Sequence, residues 1–199
     1  MHSLIDNARR HTERIAANRT ELARLAEGQQ PDALFISCSD SRIVPAHITG
    51  ARPGEVFELR AAGNIIPRFR PRAACAVAGT LQFAVQVLRI PDIVLCGHTH
   101  CGAVKALAED RGTPGMTPLH NWLIRAAFRP GPRTKEAMDR PELSTEQRHL
   151  IRQLEHLHNY PWIAERVARG TLRLHAWFYA IQTGEVTAYR PALGDFGPL

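Results

Sequence analysis

No stretch of this sequence is apolar for long enough to cross a bilayer. The longest candidate, Ala73 to Val87, is cut by Gly79, Thr80 and Gln82 and falls short of the roughly twenty residues a spanning helix needs. Repeats are absent, and 14 Gly with 14 Pro among 199 residues are too few for a collagen-like or low-complexity chain. The opening segment, MHSLIDNARRHTERIAANR, carries charges every few positions and no apolar core, so no secretory leader is expected. Cysteine is sparse, with 4 in all. In the cytoplasmic setting this predicts, thiols stay reduced and serve as ligands, catalysts or core fillers rather than bridges. Lysine is nearly missing too: Lys105 and Lys135 are the only two among 25 basic residues. The net charge of +6 raises the question of nucleic acid. The densest basic run, Arg68, Arg70 and Arg72 in PRFRPR, has no helix-turn-helix or aromatic ribonucleoprotein pattern around it. It reads as a solvated surface or subunit contact, with no nucleic-acid partner and no membrane.

With 44% of residues hydrophobic, the chain has the size and apolar content of a single well-buried domain over 1–199. Leu4, Ile5, Ala8, Ile15, Leu22 and Leu25 recur at helical intervals, predicting one long or two short amphipathic helices through Glu27, with Ser3 and Asp6 as a capping pair and Gly28 as the stop. Ala33 to Ser37 and Val56 to Leu59 are short apolar runs suited to buried strands. A helix over Ala73 to Arg89 is broken by Pro91 and followed by a third strand, Ile93 to Cys96, which makes a parallel strand–helix–strand unit. Further helices are expected at Ala103 to Ala108, Leu119 to Ala127, Ser144 to Leu157 with a Gln147 capping box, and from Pro161 to just before Gly170. Leu172 to Phe178 alternates as a strand and turns back at Thr183-Gly184 into Val186 to Tyr189. Phe128 to Pro141, rich in Arg, Pro and Gly, reads as a mobile loop. The fold class expected is α/β, a mostly parallel central sheet with an antiparallel edge hairpin, flanked by helices and preceded by a helical arm.

Such sheets bind ligands at the carboxyl ends of their strands. Directly after the first strand stands Cys38-Ser39-Asp40-Ser41-Arg42, and directly after the third stands His98-Thr99-His100-Cys101-Gly102. Two Cys and one His form a catalytic zinc site with a fourth position free for water, whereas structural sites are closed by four protein ligands. Two other readings of these residues stand beside it. Cys38 and Cys101 would be small buried residues with His98 a hydrogen-bonded core histidine, or the corner would be a Cys–His hydrolase, which leaves the second Cys unexplained. Cys75 and Cys96 fall in apolar patterns and read as core packing, as do Trp122, Trp162 and Trp177. His149, His156 and His158 are not expected to form a second metal site.

Cys-x-Asp-Ser-Arg at 38 to 42 with His-x-x-Cys at 98 to 101 resembles the zinc signature of the β-class carbonic anhydrases. The likeness runs from about Gly28 through Tyr189, including Arg60-Ala61-Ala62-Gly63-Asn64 and LHAWFYAIQTGEV. The resemblance implies zinc on Cys38, His98 and Cys101, choosing His98 over His100, and reversible hydration of carbon dioxide to bicarbonate and a proton by a zinc-bound hydroxide. It leaves Asp40 two positions: held by Arg42 so that it orients the nucleophile, or turned to the metal as a fourth ligand in a closed state. In the family the closed state accompanies a bicarbonate pocket built around a Trp and a Gly, where this chain has Phe35 and Ser37. The open, plant-like branch is therefore expected, with Gln29, Phe57, Phe83 and Gly102 as substrate-binding residues and Phe83 standing where that branch usually has Tyr. His47 and His100 are candidates for passing protons at the rim. Two thiolates cancel the formal charge of the dication, so the metal is a weaker Lewis acid than one held by three His, and activity is expected to rise toward alkaline pH. The resemblance also implies at least a homodimer, with 1–27 as an arm contributing to it. A hydrolase of carbon disulfide or carbonyl sulfide, and a non-catalytic zinc or nucleic-acid module, are the rival functions.

Overall fold

A computed structural model describes residues 1–72, 75–109, 115–124 and 139–199. It contains two compact units, Met1–Gln30 and Pro31–Leu199. Most of the expected loop from Phe128 to Pro141, and the ends of the helices expected at Ala73 and Ala127, lie outside the described residues.

The first unit is a chain of short helices: α1 (His2–Arg9), α2 (His11–Ile15), a 3-10 turn over Ala16–Asn18, and α3 (Arg19–Ala26). This is more broken than the one or two helices expected. The Ser3 cap is also a correction. Leu4 N and Ile5 N donate to the Met1 carbonyl, so α1 starts before Ser3 and leaves its hydroxyl inside the first turn. None of the three α-helices buries a residue, and Leu4, Ile5 and Leu22 are exposed.

The second unit is built on a six-stranded sheet of order β2-β1-β3-β4-β5-β6. The strands are β1 (Ala33–Ser37), β2 (Val56–Arg60), β3 (Asp92–His98), β4 (Arg173–Ala180), β5 (Glu185–Arg190) and β6 (Asp195–Pro198). β1 to β4 pair in parallel, and β4–β5 and β5–β6 are antiparallel. The last strand had no readable signal because it is short, holds Gly197 and Pro198 and shows no alternation. A bidentate contact holds it instead, Arg190 Nε and Nη2 donating to Asp195 Oδ1 (2.9 Å) and Oδ2 (2.7 Å). Pro198 falls where a proline is tolerated, on the sheet edge.

The helices that follow are α4 (Pro45–Thr49), α5 (Ala76–Gln82) continued by a π-type turn over Phe83–Val87, α6 (Gly102–Ala108), α7 (Thr117–Ile124), α8 (Thr145–His158) and α9 (Pro161–Ala168). The capping box of α8 is formed, with Gln147 N donating to Ser144 Oγ and Ser144 N to Gln147 Oε1. Its apolar stripe of Leu150, Leu154 and Leu157 packs with Leu34 and Ile36 of β1, Ile93 and Leu95 of β3, and Leu81 and Val85. Each such side chain contributes about 1.5–3 kcal/mol by leaving water. The alternate strand positions Phe35, Val94 and Cys96 form a thinner cluster on the opposite face. Arg68, Arg70 and Arg72 are exposed while Phe69 stacks against Tyr160 and Trp162. No helix among the described residues is long and apolar enough to cross a membrane.

Between β2 and α5 runs an irregular segment whose residues 63–67 are buried, so its backbone needs partners it cannot supply itself. α8 and the residue just beyond it supply them at helical spacing. His149 Nε2 donates to Gly63 O (2.8 Å), Gln153 Oε1 accepts from Ile66 N (2.8 Å), His156 Nδ1 donates to Ile66 O (2.6 Å), and Tyr160 Oη donates to Pro67 O (2.7 Å). Burial pushes His149 down to about 4 and keeps it neutral. The unfolded chain binds a proton below about 6.5 that the folded one refuses, so stability is full above that pH and is lost as pH falls toward 4. His149→Gln keeps a donor for Gly63 and removes the titration. Its melting temperature should fall less between pH 6.5 and 4 than that of wild type in calorimetry, and parallel curves would refute the assignment.

Candidate metal centre

The centre is made where two parallel strands end side by side. Ser37 pairs with Arg60 on one side and Cys96 on the other, so Cys38 emerges beside the last turn of β3. The first loop is stitched to the segment after β2: Ala61 N donates to Ser37 O, Ser39 N to Ala61 O, and Gly63 N to Cys38 Sγ at 3.2 Å. Gly63 has φ +71, and a Cβ there would stand 3.1 Å from Ala103 Cβ, so both the dihedral and the space call for glycine. After β3, Thr99 N donates to Tyr179 O, and His100 takes φ +57, a left-handed turn that brings Cys101 back toward the strand ends at the start of α6.

His98 Nδ1 lies 2.9 Å from the Thr99 carbonyl. A carbonyl can only accept, so Nδ1 carries the proton and the Nε2 lone pair is free. That Nε2 is buried with no hydrogen-bond partner among the described residues, the state of a ligand atom awaiting a cation. The ligand atoms of Cys38, His98 and Cys101 all lie within 4.8 Å of one another, and all three residues are buried. The two sulfurs are 3.9 Å apart and both thiols are free. A disulfide needs about 2.05 Å, whereas two sulfurs at about 2.3 Å from a tetrahedral zinc stand roughly 3.8 Å apart. The donor set therefore fits zinc. Pairing with the Cys101 thiol, helped by the backbone amides of Asp40 and Gly63, pulls the Cys38 thiol down against its burial. The same pairing and burial push Cys101 up. The paired thiols therefore titrate as a unit rather than separately.

Asp40 is gripped by Arg42: Nε to Oδ1 at 2.9 Å, Nη2 to Oδ2 at 2.7 Å, and the Arg42 amide to Oδ1 at 3.0 Å. This guanidinium holds the carboxyl well below the usual range. Arg42 Nη2 also donates to His100 O at 3.1 Å, joining the two loops. Sequence reasoning gave Arg60 no task, yet its guanidinium donates to the carbonyls of Cys38, Asp40 (2.8 Å) and Ile43 (2.7 Å) and so shapes the whole first loop. The available signal was its place at the carboxyl end of a parallel strand beside that loop.

Phe57 and Phe83 form a tilted pair with centroids 6.0 Å apart. Phe57 packs against the main core and Phe83 is exposed, whereas Cys38 and Cys101 pack with Val104 and Ala103 in a cluster of their own. Gly102 opens α6 and is exposed, and Gln29 is an exposed residue of the first unit. Phe35 and Ser37 are buried within β1. His47 and His100 are both exposed. Cys96 is fully buried with its thiol pushed up to about 12 by burial, an inert core residue. Cys75 is half-buried at the N-cap of α5. Among the described residues Cys38, His98 and Cys101 form the one cluster able to hold a metal, and His149 and His156 are committed to backbone carbonyls.

The sequence pattern of the carbonic anhydrase family matches residues 33–186. A carbonic anhydrase of Pseudomonas aeruginosa is 38% identical over 94% of this chain and 87% of its own length. One from Synechocystis is 36% identical over 98% of this chain and 73% of its own. Among solved structures, the β-carbonic anhydrase CcaA superimposes with a TM-score of 0.89 at 33% identity, covering 100% of this chain and 99% of that one. A structure of tetrameric β-carbonic anhydrases from Sordaria macrospora gives 0.74 at 28% identity, covering 98% and 97%.

Cys101→Ser should lower zinc affinity on the order of 100-fold, read by metal analysis and chelator competition, while Cys75→Ser retains wild-type metal. A serine variant with full, tightly held zinc would remove Cys101 from the ligand set.

Proposed function

This chain belongs to the carbonic anhydrase family, in its β class: it is a zinc enzyme that converts carbon dioxide and water reversibly to bicarbonate and a proton, and we propose how its own residues divide that work. The observation that carries the reading is the buried Cys38–His98–Cys101 cluster with Asp40 held beside it by Arg42. A zinc ion held by Cys38 Sγ, His98 Nε2 and Cys101 Sγ would supply the Lewis acidity that makes water nucleophilic, more fully as pH rises.

Asp40 remains ionised because Arg42 neutralises it; Oδ1 already accepts both the Arg42 amide and Nε, while Oδ2 accepts only Nη2 and keeps a lone pair. It accepts a hydrogen bond from the attacking water and turns that oxygen toward the substrate carbon. Arg42 keeps the carboxylate off the metal, which supports the open, plant-like branch, as do Phe35 and Ser37 in place of Trp and Gly. Gly102 offers its N–H to a substrate oxygen as charge develops there. Phe57 and Phe83 form an apolar wall suited to a small uncharged molecule, and Gln29 donates a hydrogen bond to substrate from a neighbouring copy. A hydrolase of carbon disulfide or carbonyl sulfide is not needed to account for the site or for its relatives.

The chain acts as a homo-oligomer, at least a dimer, to which the arm of 1–27 contributes. Helices of this length are marginal alone in water, and the exposed Leu4, Ile5 and Leu22 support an apolar partner for them; the Sordaria enzymes are tetrameric. Its setting is the cytoplasm, where thiols stay reduced.

In stopped-flow hydration assays, activity should rise toward alkaline pH and Asp40→Asn should lower kcat/KM by roughly 100-fold or more at unchanged zinc content. Full activity in that variant would discard Asp40 as the orienting group. Light scattering at micromolar concentration should return at least twice the mass of one chain, and a monomer would contradict the oligomer.

A further inference from the structure

The peptide group between Ala62 and Gly63 is hydrogen-bonded at both ends. Its N–H donates to Cys38 Sγ at 3.2 Å, and its carbonyl accepts the indole N–H of Trp122 at 2.8 Å. The next carbonyl along, Gly63 O, accepts from His149 Nε2 at 2.8 Å. The carbonyl fixes the tautomer: Nε2 bears the proton, and the buried Nδ1 has no hydrogen-bond partner among the described residues. Two side chains on separate helices, α7 and α8, thus clamp one glycine from both sides, and that glycine's amide touches a metal ligand.

We infer that Trp122 and His149 are positioning residues of the metal centre, which hold the Gly63 N–H on the Cys38 sulfur and thereby set how much charge that thiolate gives the metal. The inference rests on the zinc reading of the site. Its physical basis is twofold. A donor on the carbonyl of an amide polarises the same amide and strengthens its N–H as a donor in turn, so the indole reinforces the bond to sulfur. A hydrogen bond to a thiolate lowers the energy of its lone pairs and withdraws charge, which restores part of the Lewis acidity that two sulfur ligands remove.

The contrast between the two sulfurs shows why such a clamp is needed. Cys101 faces the amides of Ala103 and Val104, whose directions are set by the regular turn of α6. Cys38 takes the Gly63 amide from a single 3-10 turn, Ala62–Asn64, kinked at φ +71 and closed by Asn64 N donating to Ala61 O, with no further repeat to fix its peptide planes. The two side-chain donors do what helix geometry does for the other ligand. Packing alone would leave the indole N–H without a reason to point at this carbonyl, and would be served equally by phenylalanine.

The test uses the cobalt(II)-substituted enzyme, whose thiolate-to-metal charge-transfer absorption reports the sulfur directly. Trp122→Phe keeps the ring and deletes the donor. The band should move to lower energy, and the midpoint of the alkaline rise in kcat for the zinc enzyme should move up by roughly half a pH unit. His149→Leu should produce the same direction of change and His149→Gln, which keeps a donor, should restore the wild-type band. Variants that melt lower but leave both band and midpoint where wild type has them would overturn the inference and leave these residues as packing. If Trp122→Phe does not fold, the His149 pair decides: Leu shifted and Gln restored supports it, both unshifted overturns it. Wild-type protein with no thiolate–cobalt band would instead refute the metal reading itself.

Discussion

Two sulfurs 63 residues apart in the chain come to lie 3.9 Å from each other because β1 and β3 pair in parallel and in register. With Ser37 opposite Cys96, the chain leaves β1 at Cys38 just where β3 carries on to Gly97 and His98. A slip of one residue would turn Cys38 to the other face of the sheet, since side chains alternate. The register is held by what the two strands bury: Leu34, Ile36, Ile93 and Leu95 on the face covered by α8 and α5, and Phe35, Val94 and Cys96 on the other. Metal chemistry at one end of the sheet is thus a consequence of hydrophobic packing along its length.

Burying a polar corner at the end of an apolar sheet is costly unless its groups are partnered. The solution is a set of long-range hydrogen bonds rather than regular structure. Arg60 collects three carbonyls of the first loop, Arg42 ties that loop to His100 in the second, and α8 satisfies the backbone of the segment after β2 through His149, Gln153 and His156. Among the buried atoms left without a partner in the described residues, His98 Nε2 is the one that faces the two cysteine sulfurs and that a zinc ion would complete. The same arginine grips both oxygens of Asp40, and the proposed open coordination position rests on that contact.

Much of this was legible in the residues. The strands at Ala33 to Ser37 and Ile93 to Cys96, the capping box at Ser144 and Gln147, and the turn at Thr183-Gly184 follow from local pattern and appear as expected. Two of the metal ligands were legible by position, since Cys38 stands immediately beyond β1 and His98 is the last residue of β3, with Cys101 three residues on at the start of α6. What failed locally did so for a local reason: Ser3 is not the cap because the helix begins at His2, two residues before a Ser3 cap would start it, and β6 has a glycine and a proline where alternation would be sought. Trp122 and His149 carried no mark of their tasks, since a tryptophan and a histidine on amphipathic helices read as ordinary packing or surface, and Arg60 offered only its place at a strand end beside the first loop.

By itself the sequence determined the kinds of element, the parallel sheet and a donor set of two cysteines and a histidine, because hydrophobic period and turn residues act over a few positions; the choice of His98 over His100 came from the family resemblance and agrees with the folded cluster. Only the tertiary structure decided which carboxylate state Asp40 adopts, which amide meets the Cys38 sulfur and which side chains hold that amide. Those outcomes depend on hydrogen bonds to an irregular segment from residues 60 and 86 positions away. A segment without period leaves no trace of its partners in the order of amino acids, and only the folded backbone brings them within reach.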